Sequence, residues 1–333
     1  MIAEEQLLVL ERPHEFRLAT ATDDVAPEAG EVLVTPAYVG LCGTDLHIAA
    51  GQHPRARLPL VLGHEIVAVA TTGRWAGQAV VIDPTISCGD CPACARGDAH
   101  VCERLTLIGI DRPGGLASRL RVAEAKLHPV PASLPLPVAA LAEPLAVAVH
   151  AVGRAGPCLG ARVAILGAGP IGLLIAMVAR ASGAHAVTLA EPARLRREAA
   201  ARLGFQATAD LEATGAAGPP ADIVFDAAGA PASIRDATRL ARPRGVIVLA
   251  GVHGQPAAVD LRAVTFAELT LLGTRVYQPA DIEVAIGLLA DGVLDVTPLV
   301  SRTVELAGVP AALRSLERGE SLKVLARCAS QPT

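Results

Sequence analysis

Aromatic residues are scarce in this 333-residue chain, which has one Trp, two Tyr and four Phe. Base-stacking platforms are built from such rings, so composition argues against a single-strand nucleic-acid binder. An excess of positive charge is also lacking. Lys and Arg number 29 against 33 Asp and Glu, a net charge of −4. Nucleic-acid affinity comes mainly from phosphate neutralisation, and no basic cluster is present to supply it. No stretch reads as a membrane span. The longest charge-free apolar run lies between Arg162 and Arg180, but it contains Gly-Ala-Gly-Pro-Ile-Gly and reads as strand, turn and buried helix. The N-terminus is acidic from Glu4 onward and lacks the positive region of a signal peptide. The expectation is a cytoplasmic chain, in a compartment where disulfides are rare. With 52 % hydrophobic and 19 % charged residues, the chain can fill two domain cores and is not disordered.

Four of the seven cysteines fall in fifteen residues, Cys88, Cys91, Cys94 and Cys102. The spacing is C-x2-C-x2-C-x7-C. Short C-x2-C steps let one loop wrap several thiolates around one ion, and four thiolates make a closed tetrahedral shell suited to structural zinc. An iron–sulfur cluster is the rival. Bacterial ferredoxins also begin C-x2-C-x2-C, but their fourth cysteine follows after three residues and precedes proline. Here the gap is seven and Glu103 follows. A closed shell has no open position for substrate, so a reactive metal must be sought elsewhere.

Three distant segments supply candidates: Cys42, Thr44, Asp45 and His47; then His64 and Glu65; then Glu143 and His150. A cysteine, a histidine and a carboxylate make a three-ligand set with one position left for water or substrate. Each also has a structural reading. A lone cysteine is usually a small hydrophobe, His64 follows Gly63 in a turn, and Glu143 before Pro144 suits a helix start.

The run Val163–Leu166 is β-rich and leads into Gly167, Gly169 and Gly172, followed by an apolar helix to about Ala181. This is G-x-G-x-x-G between strand and helix, where the first glycine turns the chain, the second admits a pyrophosphate and the third allows close packing. A second strand ends at Glu191, nineteen residues after Gly172. An acidic side chain there accepts bonds from the ribose hydroxyls of NAD and repels a 2′-phosphate. Arg194, Arg196 and Arg197 keep NADP open. Further strand-like runs at Ile223–Asp226, Val246–Leu249 and Leu269–Leu272 predict a parallel doubly wound α/β sheet with Gly229, Gly251 and Thr274 near its carboxyl edge.

Taken together, "CGTDLH", "GHE", the four-cysteine lobe, "EPLAVAVH", "GAGPIG" and "LKVLARC" resemble the medium-chain zinc-dependent dehydrogenases, in the branch of polyol, sugar and threonine dehydrogenases. The resemblance implies a β-rich GroES-like catalytic domain over 1–150, a Rossmann domain over 151–278 and a return to the catalytic domain over 279–333, with the active site between domains. It implies one catalytic and one structural zinc. Cys42, His64 and either Glu65 or Glu143 would hold the first, and Cys88, Cys91, Cys94 and Cys102 the second. Thr44 would touch the substrate oxygen and His47 would relay its proton. Gly167, Gly169, Pro170, Ile171, Gly172, Glu191, Arg196, Gly251, Val252 and Thr274 would contact NAD. The implied activity is hydride transfer between NAD and a secondary alcohol on a polyol, sugar, sugar acid or hydroxyamino acid, by a homodimer or homotetramer. An NADP-dependent carbonyl reductase, or a non-catalytic nucleotide binder, are the alternatives. One departure stands out: Ala68 replaces a glycine common in the family. Tyr38, His53, Trp75, Arg112 and Tyr277 are candidates to line the substrate site.

Overall fold

The strand Glu31–Leu41 organises the first half of the molecule. Every second residue from Val32 to Tyr38 is buried, and burial is then continuous to Leu41. Period-two burial marks a strand with one face on a core, and continuous burial marks the point where both faces are covered. In the computed structural model, which describes residues 6–20, 26–209 and 220–328, this strand sits inside a seven-stranded sheet. The order is Leu127–Pro129, Ala79–Ile82, Glu65–Ala70, Glu31–Leu41, Lys323–Arg327, Val300–Glu305, and Leu120–Ala123 also pairs with Glu31–Leu41. The C-terminal strand therefore lies beside Glu31–Leu41, with Val324 opposite Leu41. That pairing brings the end of the chain to the segment that precedes Cys42.

The chain divides into two compact units. One comprises Met1–Glu143, Gln278–Asp291 and Val300–Thr333, the other Pro144–Tyr277 and Gly292–Leu299. The division falls at Glu143/Pro144, within the first turn of the helix Ala142–Ala155. The return begins with the helix Pro279–Ala290, and residues 292–299 go back to the second unit before the chain rejoins the first.

The second unit is built on a six-stranded sheet ordered Gln206–Thr208, Ala186–Ala190, Arg162–Leu166, Ala221–Asp226, Ala241–Leu249, Thr270–Gly273. Every pairing is parallel. The apolar runs read as strands in the sequence are this sheet, because strands covered on both faces are hydrophobic throughout. The fifth strand begins at Ala241, earlier than the β-rich run at Val246, because Ala241 pairs with Ala221 across a register shift. The helix Pro170–Ala181 buries every residue from Gly172 to Ala179. Each large aliphatic side chain so buried contributes about 1.5–3 kcal/mol. Among the described residues, no helix is long and apolar enough to cross a membrane.

Candidate active site and cofactor cradle

Cys42 follows directly on Glu31–Leu41 and caps the helix Gly43–Ala49 in extended backbone. The Cys42 N–H donates to Asp45 Oδ2 at 2.8 Å, which fixes the first turn and the cysteine with it. His64 precedes the strand Glu65–Ala70, which pairs antiparallel with Glu31–Leu41 so that Glu65 lies opposite Gly40. Gly40 is needed there: a Cβ would overlap the Glu65 carboxylate. Two neighbouring strands thus deliver a thiol, an imidazole and a carboxyl to one place. Ligand atoms of Cys42, His64 and Glu65 all lie within 4.8 Å of one another.

This donor set fits zinc with a position to spare. The polar atoms around it are left incomplete by the protein alone. Asp45 is wholly buried, and neither its Oδ1 nor His64 Nδ1 has a hydrogen-bond partner; they stand 3.7 Å apart. Burial alone would lower the His64 pKa, but Asp45, Cys42 and Glu143 raise it well above the ordinary histidine value. Burial raises Asp45, with His64 opposing. Glu143 is buried, and its charge bears on His64, but it falls outside the close group. Thr44 is half-buried, with Oγ1 3.8 Å from Cys42 Sγ. His47, three residues on, is exposed and its Nδ1 lies 3.5 Å from Gln52 Oε1.

Lys323 completes the arrangement, a residue to which the sequence attached no role. Its Nζ lies 2.6 Å from Glu65 Oε1 and donates to Leu41 O at 3.0 Å. Burial works against its charge, but Glu65 and Cys42 outweigh that and lift its pKa above the lysine value. The available signal was one cation inside the apolar run Leu322–Ala326. Of the lining candidates, Tyr38 and Tyr277 are core residues, 4 % and 1 % exposed. Arg112 is exposed, and Trp75 stacks on Arg74. A cavity of about 720 Å³ lined by Leu7, Leu33, Ile108 and Arg121 shares no residue with the metal-ligand group.

The four-cysteine loop closes on itself. Sγ–Sγ distances are 3.3 Å for Cys88–Cys102, 3.5 Å for Cys91–Cys94, and 3.9 Å for both Cys88–Cys94 and Cys91–Cys102. Thiolates about 2.3 Å from a common centre stand about 3.8 Å apart on tetrahedral edges. The spacing therefore fits one zinc, and an iron–sulfur cluster needs its sulfurs farther apart. N–H groups hold two of the thiols down, Cys91 at about 6 through Cys94 and Glu103 and Cys102 through Cys88, which favours the thiolates a metal requires, while Asp90 raises Cys88 and burial raises Cys94.

In the second unit, Gly169 caps the helix that begins at Pro170, with Ile171 half-buried in its first turn. A Cβ on Gly172 would collide with the Gly167 carbonyl. The turn is therefore as tight as a pyrophosphate cradle requires. Glu191 is 3 % exposed, and its carboxylate accepts from Ala168 N and Ala193 N, both at 2.9 Å. The acidic side chain is thereby locked against the glycine turn. Arg196 stands 3.6 Å from it, while Arg197 caps the Glu191 and Pro192 carbonyls and Arg194 pairs with Glu198. Gly251 and Val252 follow the strand ending at Leu249, and Thr274 follows the edge strand with its Oγ1 buried and unpartnered.

A parallel sheet with this glycine turn, a closed four-thiol site and an incomplete thiol–imidazole–carboxyl site together define a zinc-type dehydrogenase. The comparisons agree. Residues 28–132 match the alcohol dehydrogenase GroES-like domain and residues 170–291 the zinc-binding dehydrogenase model. The chain is 40 % identical over 321 residues to the 2-dehydro-3-deoxy-L-galactonate 5-dehydrogenase of Pseudoalteromonas atlantica, covering 91 % of this chain and 93 % of the relative. It superposes with TM-score 0.91 on the short chain alcohol dehydrogenase of Escherichia coli CFT073 complexed with NADH, at 28 % identity over 98 % of this chain and 99 % of that one. With L-idonate 5-dehydrogenase of Escherichia coli K-12 the TM-score is 0.88, at 27 % identity over 98 % of each chain. The chain belongs to the zinc-dependent medium-chain alcohol dehydrogenase family, in its polyol and sugar-acid branch, and is an NAD(P)-dependent oxidoreductase of alcohol groups.

Proposed function

We propose that this enzyme oxidises a secondary hydroxyl of a sugar acid with NAD, and that residues 51–59 meet the substrate's carboxylate. One observation carries the reading. The segment that follows the helix bearing Thr44 and His47 carries two permanent cations, Arg55 and Arg57, beside His53, whose own charge is disfavoured by burial and by Arg55. Arg55 is held in place by Asp111 at 3.2 Å and Leu105 O at 2.6 Å, and Arg57 is exposed. The relative named for a keto-deoxy sugar acid supports the same class.

Cys42, His64 and Glu65 would hold a zinc that would supply the Lewis acidity to lower an alcohol's pKa, and NAD would supply the hydride acceptor. Thr44 would accept the substrate's hydroxyl proton while releasing its own toward exposed His47, which would exchange a proton with water. Lys323 holds the Glu65 carboxylate in place through its 2.6 Å contact. Glu143 contributes charge from a greater distance. Glu191 selects NAD, because a 2′-phosphate would face its carboxylate. Arg196 supports the adenosine ribose.

Hydride-transfer assays with aldonic and keto-deoxy sugar acids beside their parent polyols, run separately with NAD and NADP, test this. The expected result is higher kcat/KM for the acids with NAD. Arg57→Ala should raise KM for acids about tenfold and leave polyols alone, as loss of one charge-assisted contact does. Equal kcat/KM for acid and polyol would remove the carboxylate from the reading. We propose that the enzyme works in the cytoplasm as a homo-oligomer. Leu261 and Phe266, 70 % and 81 % exposed beside the edge strand Thr270–Gly273, support assembly there; analytical ultracentrifugation is the check.

A further inference from the structure

Asp226 ends the fourth strand of the parallel sheet and is completely buried. Its carboxylate collects four donors: Ala228 N and Gly229 N at 3.1 Å on Oδ1, Ser233 Oγ at 2.7 Å and His253 Nε2 at 2.9 Å on Oδ2. Three of these belong to the connection that follows Asp226 itself. His253 belongs to the next one, after the strand Ala241–Leu249. The two connections are pressed together. A Cβ on Gly229 would meet Val252 O at 2.6 Å, and one on Gly251 would meet Gly229 N. Ala250 N and Gly251 N donate to Asp226 O at 2.9 and 2.7 Å. Beyond Gly251 the tie is made by a side chain, that of His253. Just before it Val252 holds its side chain 92 % exposed.

The place of this tie in the sheet gives it meaning. From Arg162–Leu166 the chain moves outward through Ala186–Ala190 to Gln206–Thr208, then returns to the other side at Ala221–Asp226. The switch point lies between Leu166 and Asp226, and dinucleotides lie across the carboxyl edge at such a point. With Glu191 on one side of the glycine turn, the nicotinamide half falls over the other, where Gly229, Gly251 and Val252 stand.

We propose that His253 is a positioning residue for the dinucleotide: by holding Asp226 it fixes the Val252 backbone against Gly229 as a pre-formed floor for the nicotinamide half. The imidazole suits this role. Its Nδ1 is buried without a partner, so the geometry accommodates the tautomer that carries its proton on Nε2 and donates it to Asp226. A floor fixed before binding spares the cofactor the loss of loop freedom. Removing the tie leaves the buried carboxylate one donor short and frees residues 252–253.

The test is NADH binding to the zinc-loaded enzyme by calorimetry, with steady-state kinetics and hydrogen exchange beside it. His253→Ala should raise the NADH Kd about tenfold and the KM for NAD in parallel, with kcat falling by less than about threefold. Exchange should quicken at residues 250–254, and zinc content should stay at two per chain. His253→Gln places an amide N–H at nearly the reach of Nε2 and should restore the Kd to within about threefold. Wild-type NADH affinity in His253→Ala overturns the proposal. So does a Gln variant that folds but binds as weakly as Ala, since a packing role alone explains that result. Should His253→Ala fail to fold, the Gln variant and a His253→Leu variant carry the same comparison. The NADH Kd, the exchange rates and the zinc content do not depend on which alcohol is oxidised.

Discussion

Lys323 and Glu65 form a buried ion pair across 258 residues of sequence, with Nζ 2.6 Å from Oε1 and both side chains 2 % exposed. Breaking such a pair from one side strands the other charge, which costs about 3–5 kcal/mol. Lys323→Met should lower stability by that order in denaturant melts and should release one of the two zincs. The double variant Lys323→Met/Glu65→Gln should recover most of the stability and none of the turnover. A single variant as stable as wild type would show that the pair carries no net energy.

Cys42→Ser removes one of the three donors grouped at Cys42, His64 and Glu65. Metal analysis should find one zinc per chain in place of two, and turnover should fall by about a thousandfold or more, the loss of several kcal/mol of charge stabilisation. NADH binding by calorimetry should change by less than about threefold, because the glycine turn belongs to the other compact unit.

Cys94→Ser acts through folding. The thiols of Cys88, Cys91, Cys94 and Cys102 are grouped for one ion, and a structural site supplies folding free energy directly. The melting temperature should drop by roughly 5–10 °C, the effect of about 2–3 kcal/mol on a unit of this size. One zinc per chain should remain, held at the Cys42 site.

Glu191→Ala should reverse cofactor preference. The carboxylate is bonded to Ala168 N and Ala193 N and faces Arg196. Its removal should lower kcat/KM for NAD about tenfold and raise that for NADP, as Arg196 is left to face a 2′-phosphate. Unchanged preference in paired NAD and NADP assays would take Glu191 out of cofactor selection.

Acid should weaken the first unit through His128. Burial depresses its pKa below the ordinary histidine value, against the opposing pull of Asp83 and Glu283, while Lys126 adds to the depression. A histidine whose folded pKa is lowered binds fewer protons folded than unfolded. Its contribution is therefore present above about pH 6.5 and is lost as pH falls through the folded value. Thermal melts between pH 7.5 and 5 should show a decline that is shallower in His128→Gln. Parallel curves for the two proteins would assign the acid sensitivity to other groups.

The parts readable along the chain are those whose partners are close in sequence. Cys88 to Cys102 announce a metal loop because one short turn can wrap an ion, whatever the rest of the molecule does. Gly167, Gly169 and Gly172 announce a phosphate turn because the strand and helix flanking them carry their own periodicity. The ligand segment with Cys42 and the one with His64 could be named, but their meeting could not be deduced from spacing. Lys323 stands in the quoted run "LKVLARC", yet a single lysine in an apolar strand gives no hint of what it faces. His253 was passed over because its partner lies on a different connection of the sheet.

Composition and local pattern by themselves determined a zinc-binding, dinucleotide-binding α/β chain, since burial period, glycine turns and cysteine steps are short-range properties. Only the tertiary structure brings the Glu65 carboxyl within 4.8 Å of the Cys42 and His64 ligand atoms. Antiparallel pairing sets Glu65 against Gly40, where the missing side chain leaves room for its carboxylate. The return of the C-terminal strand beside Leu41 then brings Lys323 to neutralise it. Register between strands far apart in the chain is a long-range property, and it is register that builds this site.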